Sequence, residues 1–234
     1  MTAIYKRELS AYFNSAVAYV VLAVFFFFSG FFFNVYCFGG NTTSLSYVFG
    51  SMFYIIMFII PVLTMKTFAE EKRQKTDQAL LTSPTGLVEI VVGKFLGALT
   101  IYAICCAIFI LYAIVISFFA QPQWSVVLCT LLGVFLLGAS LIAINIFISS
   151  LTESMVVAAV VGMAVGLIID TMSYIISLIP VEWIANILGK INFLNYYTNF
   201  TYGILSVVDV VFFLSVVGLF LSFTVRVLEK RRWS

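Results

Sequence analysis

The chain has 234 residues, of which 63% are hydrophobic and only 9% charged, with 25 Phe, no His and a net charge of +2. Its mean hydropathy is +1.16. A water-soluble domain of this length could not cover so much apolar surface, and the missing histidines remove the commonest metal ligand and the commonest general acid–base group.

At the N-terminus, Ile4, Tyr5, Leu9, Tyr12 and Phe13 recur at roughly helical spacing, with Lys6, Arg7, Ser10 and Asn14 on the other face. That pattern predicts a helix over residues 1–15 lying in the membrane interface. The first apolar run, Ala16–Phe38, is longer than a signal-peptide core and has no small-x-small cleavage site after it, so it is expected to remain as the first span. A short uncharged connection at Gly39–Ser44 leads to a second run, Leu45–Met65. A charged island, Lys66–Lys94, follows. The third run is Val91–Phe119 and the fourth, after Gln121-Pro122-Gln123, is Trp124–Ser149. The fifth is Ser154–Ile179 and the sixth Ile204–Val225. Each reaches the roughly 20 residues needed to cross the bilayer core, and continuous apolar runs favour helices over period-two strands.

Between the last two runs, residues 180–203 mix Trp183, Phe193, Tyr196, Tyr197, Phe200 and Tyr202 with Lys190 and several Asn. Such a segment suits an interfacial or re-entrant stretch on the outer side better than a water-exposed loop, and a seventh span would carry Lys190 and the Asn residues across the hydrocarbon. The expected fold is therefore an all-α integral membrane protein with six transmembrane helices, an N-terminal interfacial helix and an outer re-entrant segment, in one domain covering 1–234.

With six spans, the two termini and the Lys66–Lys94 island share one side, which then holds eleven of the twelve Lys and Arg, with Lys190 opposing them. The positive-inside rule makes that side cytoplasmic, and these cations are topology signals rather than a nucleic-acid surface.

Little in the chain suggests catalysis. No phosphate-loop pattern occurs, since Gly93-Lys94 is followed by Phe95. Cys37, Cys105, Cys106 and Cys129 read as packing residues, the adjacent pair diverging by about 100° on a helix. Three polar residues inside the runs are candidates for a substrate path: Asn145, Asp170 and Asp209. A buried carboxylate in a span costs about 2.5–3.5 kcal/mol on insertion scales, so it is sheltered or functional. For Asp170, with Thr171 and Ser173 nearby, the alternatives are a path-lining or proton-coupling group, an interhelical hydrogen bond and a position in a partly hydrated outer vestibule. Asn145 could act as interhelical glue.

The island carries more information. Phe68 to Arg73 continues the second span into a polar helix end, Thr76 to Leu81 predicts a short helical turn exposing Leu80-Leu81, and Thr82-Ser83-Pro84 breaks it. A short helix between two spans can act as a lever for a soluble partner, so residues 66–90 are the expected coupling region.

Glu70-Glu71-Lys72-Arg73, Thr76, Leu80-Leu81-Thr82-Ser83-Pro84 and Glu89-Ile90-Val91-Val92-Gly93-Lys94, in that order, resemble the signature of ABC-2-type transporter permeases. The similarity is greatest to the branch of gliding-motility and copper-processing permeases. Lys6-Arg7-Glu8-Leu9 with Tyr12-Phe13, and Asn199-Phe200 through Gly203-Ile204-Leu205 to Asp209-Val210, resemble the same branch. Two positions depart from it: Lys75 stands where the family often has Gly, and Gln78 where it often has Glu. The resemblance implies a non-enzymatic permease of a bacterial plasma membrane that works as an exporter, paired with a second copy or a related permease. It also implies separate ATPase subunits that bind ATP and Mg. The docking residues it implies are Glu70, Glu71, Lys72, Arg73, Thr76, Leu80, Leu81, Ser83 and Pro84. Two other readings remain open: a proton-coupled secondary transporter using Asp170, needing no ATPase, and a non-transporting scaffold of a secretion or motility complex. The substrate is not legible.

Overall fold

The computed structural model describes residues 2–40, 44–76, 86–119, 121, 123–178 and 182–232. Six helices among them are long and apolar enough to cross a membrane, as the sequence predicts. The chain opens with α1 (Thr2–Phe13) and turns into α2 (Ala16–Phe33), which Ser15 caps by accepting from the Val17 amide. A π-helical turn, Asn34–Gly39, extends α2. Then come α3 (Ser46–Thr64), the short α4 (Ala69–Arg73), α5 (Leu87–Ser117) and α6 (Trp124–Leu151). After these, α7 (Met155–Ser177) is capped by Ser154, the short α8 (Glu182–Gly189) and α9 (Phe193–Thr201) follow, and α10 (Val207–Arg232) closes the chain.

Three boundaries differ from the sequence reading by three residues or more. The last helix starts three residues later than Ile204 and runs seven past Val225, through the basic cluster. Apolar content sets where a helix is buried, whereas hydrogen bonding sets where it stops, and Lys230, Arg231 and Arg232 favour a helix C-terminus. α5 likewise begins at Leu87, one turn before Val91.

The bundle is built around α6, whose most apolar stretch is 78% buried, against 28% or less for α2, α7 and α10. Along it pack α10, α3, α5 and α9. The α9 helix is held on several sides. Tyr197 donates to the Phe49 carbonyl at 2.7 Å, Thr130 to the Phe200 carbonyl at 2.9 Å, and Ser46 to the Thr201 carbonyl at 3.0 Å. Phe200 lies over Gly133, where a Cβ would strike its ring. α9 ends at Gly203 (φ +77°), whose amide bonds Phe200 O while the Ile204 amide bonds Asn199 O. That pair of bonds is a Schellman motif, and its left-handed residue is the one glycine adopts without penalty. It turns the chain sharply into α10.

Helix α1 packs along α5. Ile4, Glu8 and Tyr12, one turn apart, are buried, while Phe13, expected on the apolar face, is 38% exposed. α5 makes room through Gly93 and Gly97: a Cβ at 93 would lie 2.9 Å from Ile4 Cγ2, and one at 97 would lie 3.0 Å from Glu8 Cβ. Small residues four apart let two helices approach this closely. Tyr5 and Thr100 share a hydrogen bond at 3.0 Å along the same seam.

Candidate functional site

At the end of α3 the chain passes through a turn, Met65–Phe68, into α4. A helix start leaves its first amides without partners, and α4 has no side-chain cap of its own. Ser149, on the last turns of α6, supplies one. Its Oγ accepts the Phe68 and Ala69 amides, both at 3.1 Å, and donates to Met65 O at 3.2 Å. One hydroxyl therefore uses its donor and both lone pairs to fix the turn. Next to it, the buried Lys72 reaches the carbonyl of Ser150. A cation at the carbonyl end of α6 complements the helix dipole there.

The other side of α4 is tied to α1 and α5 by a ring of four charges. Lys94 is 1% exposed, and its ammonium donates to Glu8 Oε1 at 3.0 Å, Glu71 Oε1 at 2.9 Å and Thr67 O at 2.8 Å. All three of its donors are thereby used. Arg7 Nη2 reaches the same two oxygens, Glu8 Oε1 at 2.9 Å and Glu71 Oε1 at 3.0 Å. Positive and negative groups alternate around the closed circuit Arg7–Glu8–Lys94–Glu71, which has no net charge. The Phe68 ring covers Lys94 at 5.0 Å from its centroid, a cation–π contact in a desolvated place. Burial acts against the Arg7 charge, but the two carboxylates outweigh it and hold its pKa above the ordinary value. Tyr12, below the ring, bonds Leu63 O at 3.3 Å and Thr67 Oγ1 at 3.4 Å, and burial pushes its phenol pKa up. A cleft of about 420 Å³ opens beside the ring between α1 and α4, with Lys66, Glu70, Gln74 and Thr76 among its walls. The buried Glu71 Oε2 has no hydrogen-bond partner among the described residues.

Of the predicted docking residues, Glu71 and Lys72 therefore point into the bundle. Glu70 is half-buried, and Arg73 and Thr76 are exposed. Leu80, Leu81, Ser83 and Pro84, with Gln78, lie outside the described residues. α4 ends as α9 does: the Lys75 amide bonds Lys72 O at 3.1 Å and the Thr76 amide bonds Glu71 O at 3.0 Å, with Lys75 at φ +57°. This too is a Schellman motif, with lysine in the left-handed position that favours glycine.

The three intramembrane candidates are separate, and no hydrogen bond links any two of them. Asn145 is buried where α6, α7 and α3 meet. Its Nδ2 donates to Leu141 O on its own helix at 2.9 Å, while Oδ1 occupies the place a Cβ of Gly162 would take. It thus makes no interhelical hydrogen bond to a described residue; α7 approaches through a glycine that offers no side-chain donor. Asp170 is half-exposed on α7 and bonds no described residue. Thr171 instead caps Leu167 O, and Ser173 is taken by Asn192. Asp209, 3% exposed, accepts from Asn199 Nδ2 at 2.9 Å, which closes the elbow between α9 and α10, and it lies in the first turn of α10, where a carboxylate suits the dipole. Among the described residues no group of three or more Cys, Asp or Glu could hold a metal.

A comparison with protein families decides the class: the family described as ABC-2 family transporter protein matches residues 34–227, more than half the chain. The chain belongs to the ABC-2 family of transporter proteins. A search of curated proteins returned no match. As an ABC-2 protein it is a multi-pass membrane permease subunit of an ABC transporter, a class that works with an ABC ATPase. The family match starts after α1, so Arg7 and Glu8 lie outside it while Glu71 and Lys94 lie within.

The sequence reading missed the ring and the Ser149 cap. Lys94 read as a topology cation and as part of a resemblance, and Glu8 only as part of a resemblance. The available signal was Gly93-Lys94-Phe95-Leu96-Gly97: a small-residue pair bracketing a charge inside an apolar run implies a helix lying against it and a counter-ion on that helix.

Proposed function

We propose that this permease is driven by a separate ATPase docking on the segment between α3 and α5, through Glu70, Arg73, Thr76 and the following Leu80, Leu81, Ser83 and Pro84. In this reading that segment and both termini are cytoplasmic, the membrane is a bacterial plasma membrane, and transport is outward. Two copies, or this chain and a related permease, form the path, and the ATPase binds ATP and Mg. The observation that carries the reading is the double anchorage of α4. Glu71 is tied through Lys94 to α1 and α5, and Lys72 with Ser149 ties the helix to the end of α6, the central helix. A segment with no mechanical task has no need of buried links to three helices. A solvated loop would be satisfied by water alone.

The test is a mild-detergent pull-down of the tagged chain, with mass spectrometry and an ATPase assay on the eluate. Recovery of a soluble partner with a phosphate loop, and loss of that partner when Leu80 and Leu81 are replaced by Asp, is the expected result. An oligomer free of ATPase activity would overturn the proposal.

A further inference from the structure

Where α5 begins and α10 ends, the two helices leave a groove of about 390 Å³. Its floor is apolar: Val88, Val91 and Val92 on α5, and Gly218, Leu221 and Val225 on α10. Nothing within 4 Å would meet a Cβ at Gly218, so the groove is open there rather than filled by a neighbour. The one hydroxyl in the lining, Ser222, donates to Leu219 O of its own helix at 2.7 Å. At its mouth stand one cation and one anion, Arg226 and Glu229, three apart and so on the same side of α10. Neither side chain forms an ion pair or hydrogen bond with a described residue, although they are close enough in sequence to pair. Gly218 precedes Arg226 by eight residues, about 12 Å along a helix.

We infer that this groove holds a phospholipid with a primary-amine headgroup, of the phosphatidylethanolamine type. One acyl chain lies along Gly218, Leu221 and Val225, the phosphate meets Arg226, and the ammonium meets Glu229. The charges choose between lipid classes. A guanidinium can clasp a phosphate with two parallel bonds. A lipid with net negative charge would satisfy Arg226 but set its surplus charge against the Glu229 carboxylate. A choline headgroup is zwitterionic, yet its quaternary nitrogen has no N–H to donate, whereas a primary ammonium has three donors. A groove open to the bilayer, apolar below and carrying one charge of each sign above, therefore fits the amine-bearing zwitterion best.

The test uses the full chain purified in detergent, equilibrated with an equimolar mixture of phosphatidylethanolamine, phosphatidylglycerol and phosphatidylcholine, and read by native mass spectrometry for retained lipid. Wild type is expected to retain phosphatidylethanolamine above the other two. R226Q should lower that retention about fivefold, the worth of one interfacial cation. E229Q should remove the preference over phosphatidylcholine. G218F, which fills the groove from an open position, should lower retention without moving the thermal midpoint. Preferential retention of phosphatidylglycerol, equal retention of all three lipids, or variants that behave as wild type would each overturn the inference. So would a cross-link between two copies through V92C with no lipid retained, because a second copy would then cover the groove. No ATPase enters the experiment, so its failure leaves the proposed coupling untouched.

Discussion

Replacing Lys94 by Met keeps the aliphatic stem and removes only the ammonium at the centre of the ring. The side chains of Glu8 and Glu71 are 11% and 20% exposed, so water cannot fully take over from the lost cation. Removing one partner of a buried pair costs about 3–5 kcal/mol. Arg7 still touches both carboxylates, but its side chain is 52% exposed, and an exposed pair is worth about 0.2–1 kcal/mol. Arg7 therefore relieves a small part of the penalty, and about 3 kcal/mol is the expected loss for K94M. At roughly 2–4 °C per kcal/mol for a chain of this size, thermal unfolding in detergent should fall by roughly 6–12 °C. R7Q removes the exposed corner of the same ring and should lower it by less than about 4 °C. Adding E71Q to K94M takes away one of the stranded charges, so the double variant should be more stable than additivity predicts, by about 1–3 kcal/mol. A K94M midpoint within about 2 °C of wild type, or R7Q as damaging as K94M, would refute the reading of Lys94 as the hub.

Three further substitutions probe the surrounding structure. S149A strands the Phe68 and Ala69 amides, costing about 1–3 kcal/mol, whereas S149T keeps the hydroxyl; hydrogen exchange over residues 66–73 should rise in the first variant and not in the second. K75G removes a left-handed penalty of about 1–2 kcal/mol, offset in part by about 0.5–1 kcal/mol of glycine entropy, so protection of the amides at the end of α4 should increase; a decrease would contradict the Schellman geometry. G162A drives a methyl into Asn145 Oδ1 and to 3.0 Å from Pro61 Cβ, costing about 1–3 kcal/mol in the thermal midpoint. Part of that cost should return in the G162A/N145A pair, and a pair that merely adds would show that Asn145 is not the obstruction.

What the sequence made legible was what the bilayer imposes. A span must be long, apolar and helical, so all six could be read from the apolar runs, and the misreading of the last helix falls where hydrogen bonding rather than apolarity decides its ends, at Val207 and Arg232. The site depended on contacts between distant segments. Glu8 meets Lys94 across 86 residues and Ser149 meets Ala69 across 80, and no periodicity in either segment announces its partner. The Asn199 to Asp209 stretch lay between these cases. It was noticed as a pattern, and its reason is physical: Gly203 takes the left-handed turn and Asn199 satisfies the Asp209 carboxylate that the turn brings back.

The position of the ring also bears on how the proposed coupling would work. A turn, Met65–Phe68, separates α3 from α4. Buried polar links join α4 to its neighbours, through Ser149 and Lys72 to α6, and through Glu71 and Lys94 to α1 and α5. Two of the residues first assigned to docking, Glu71 and Lys72, are then the inner ends of these links, which leaves the half-buried Glu70 and the exposed Arg73 and Thr76 for the proposed docking. Variants on the two sides should separate accordingly. R73E should weaken recovery of the ATPase while leaving the permease as stable as wild type, since its side chain is exposed. S149A should leave the ATPase bound and hydrolysing while loosening the joint to α6. If R73E and S149A gave the same phenotype, the division between an outer docking face and an inner transmission face would fail.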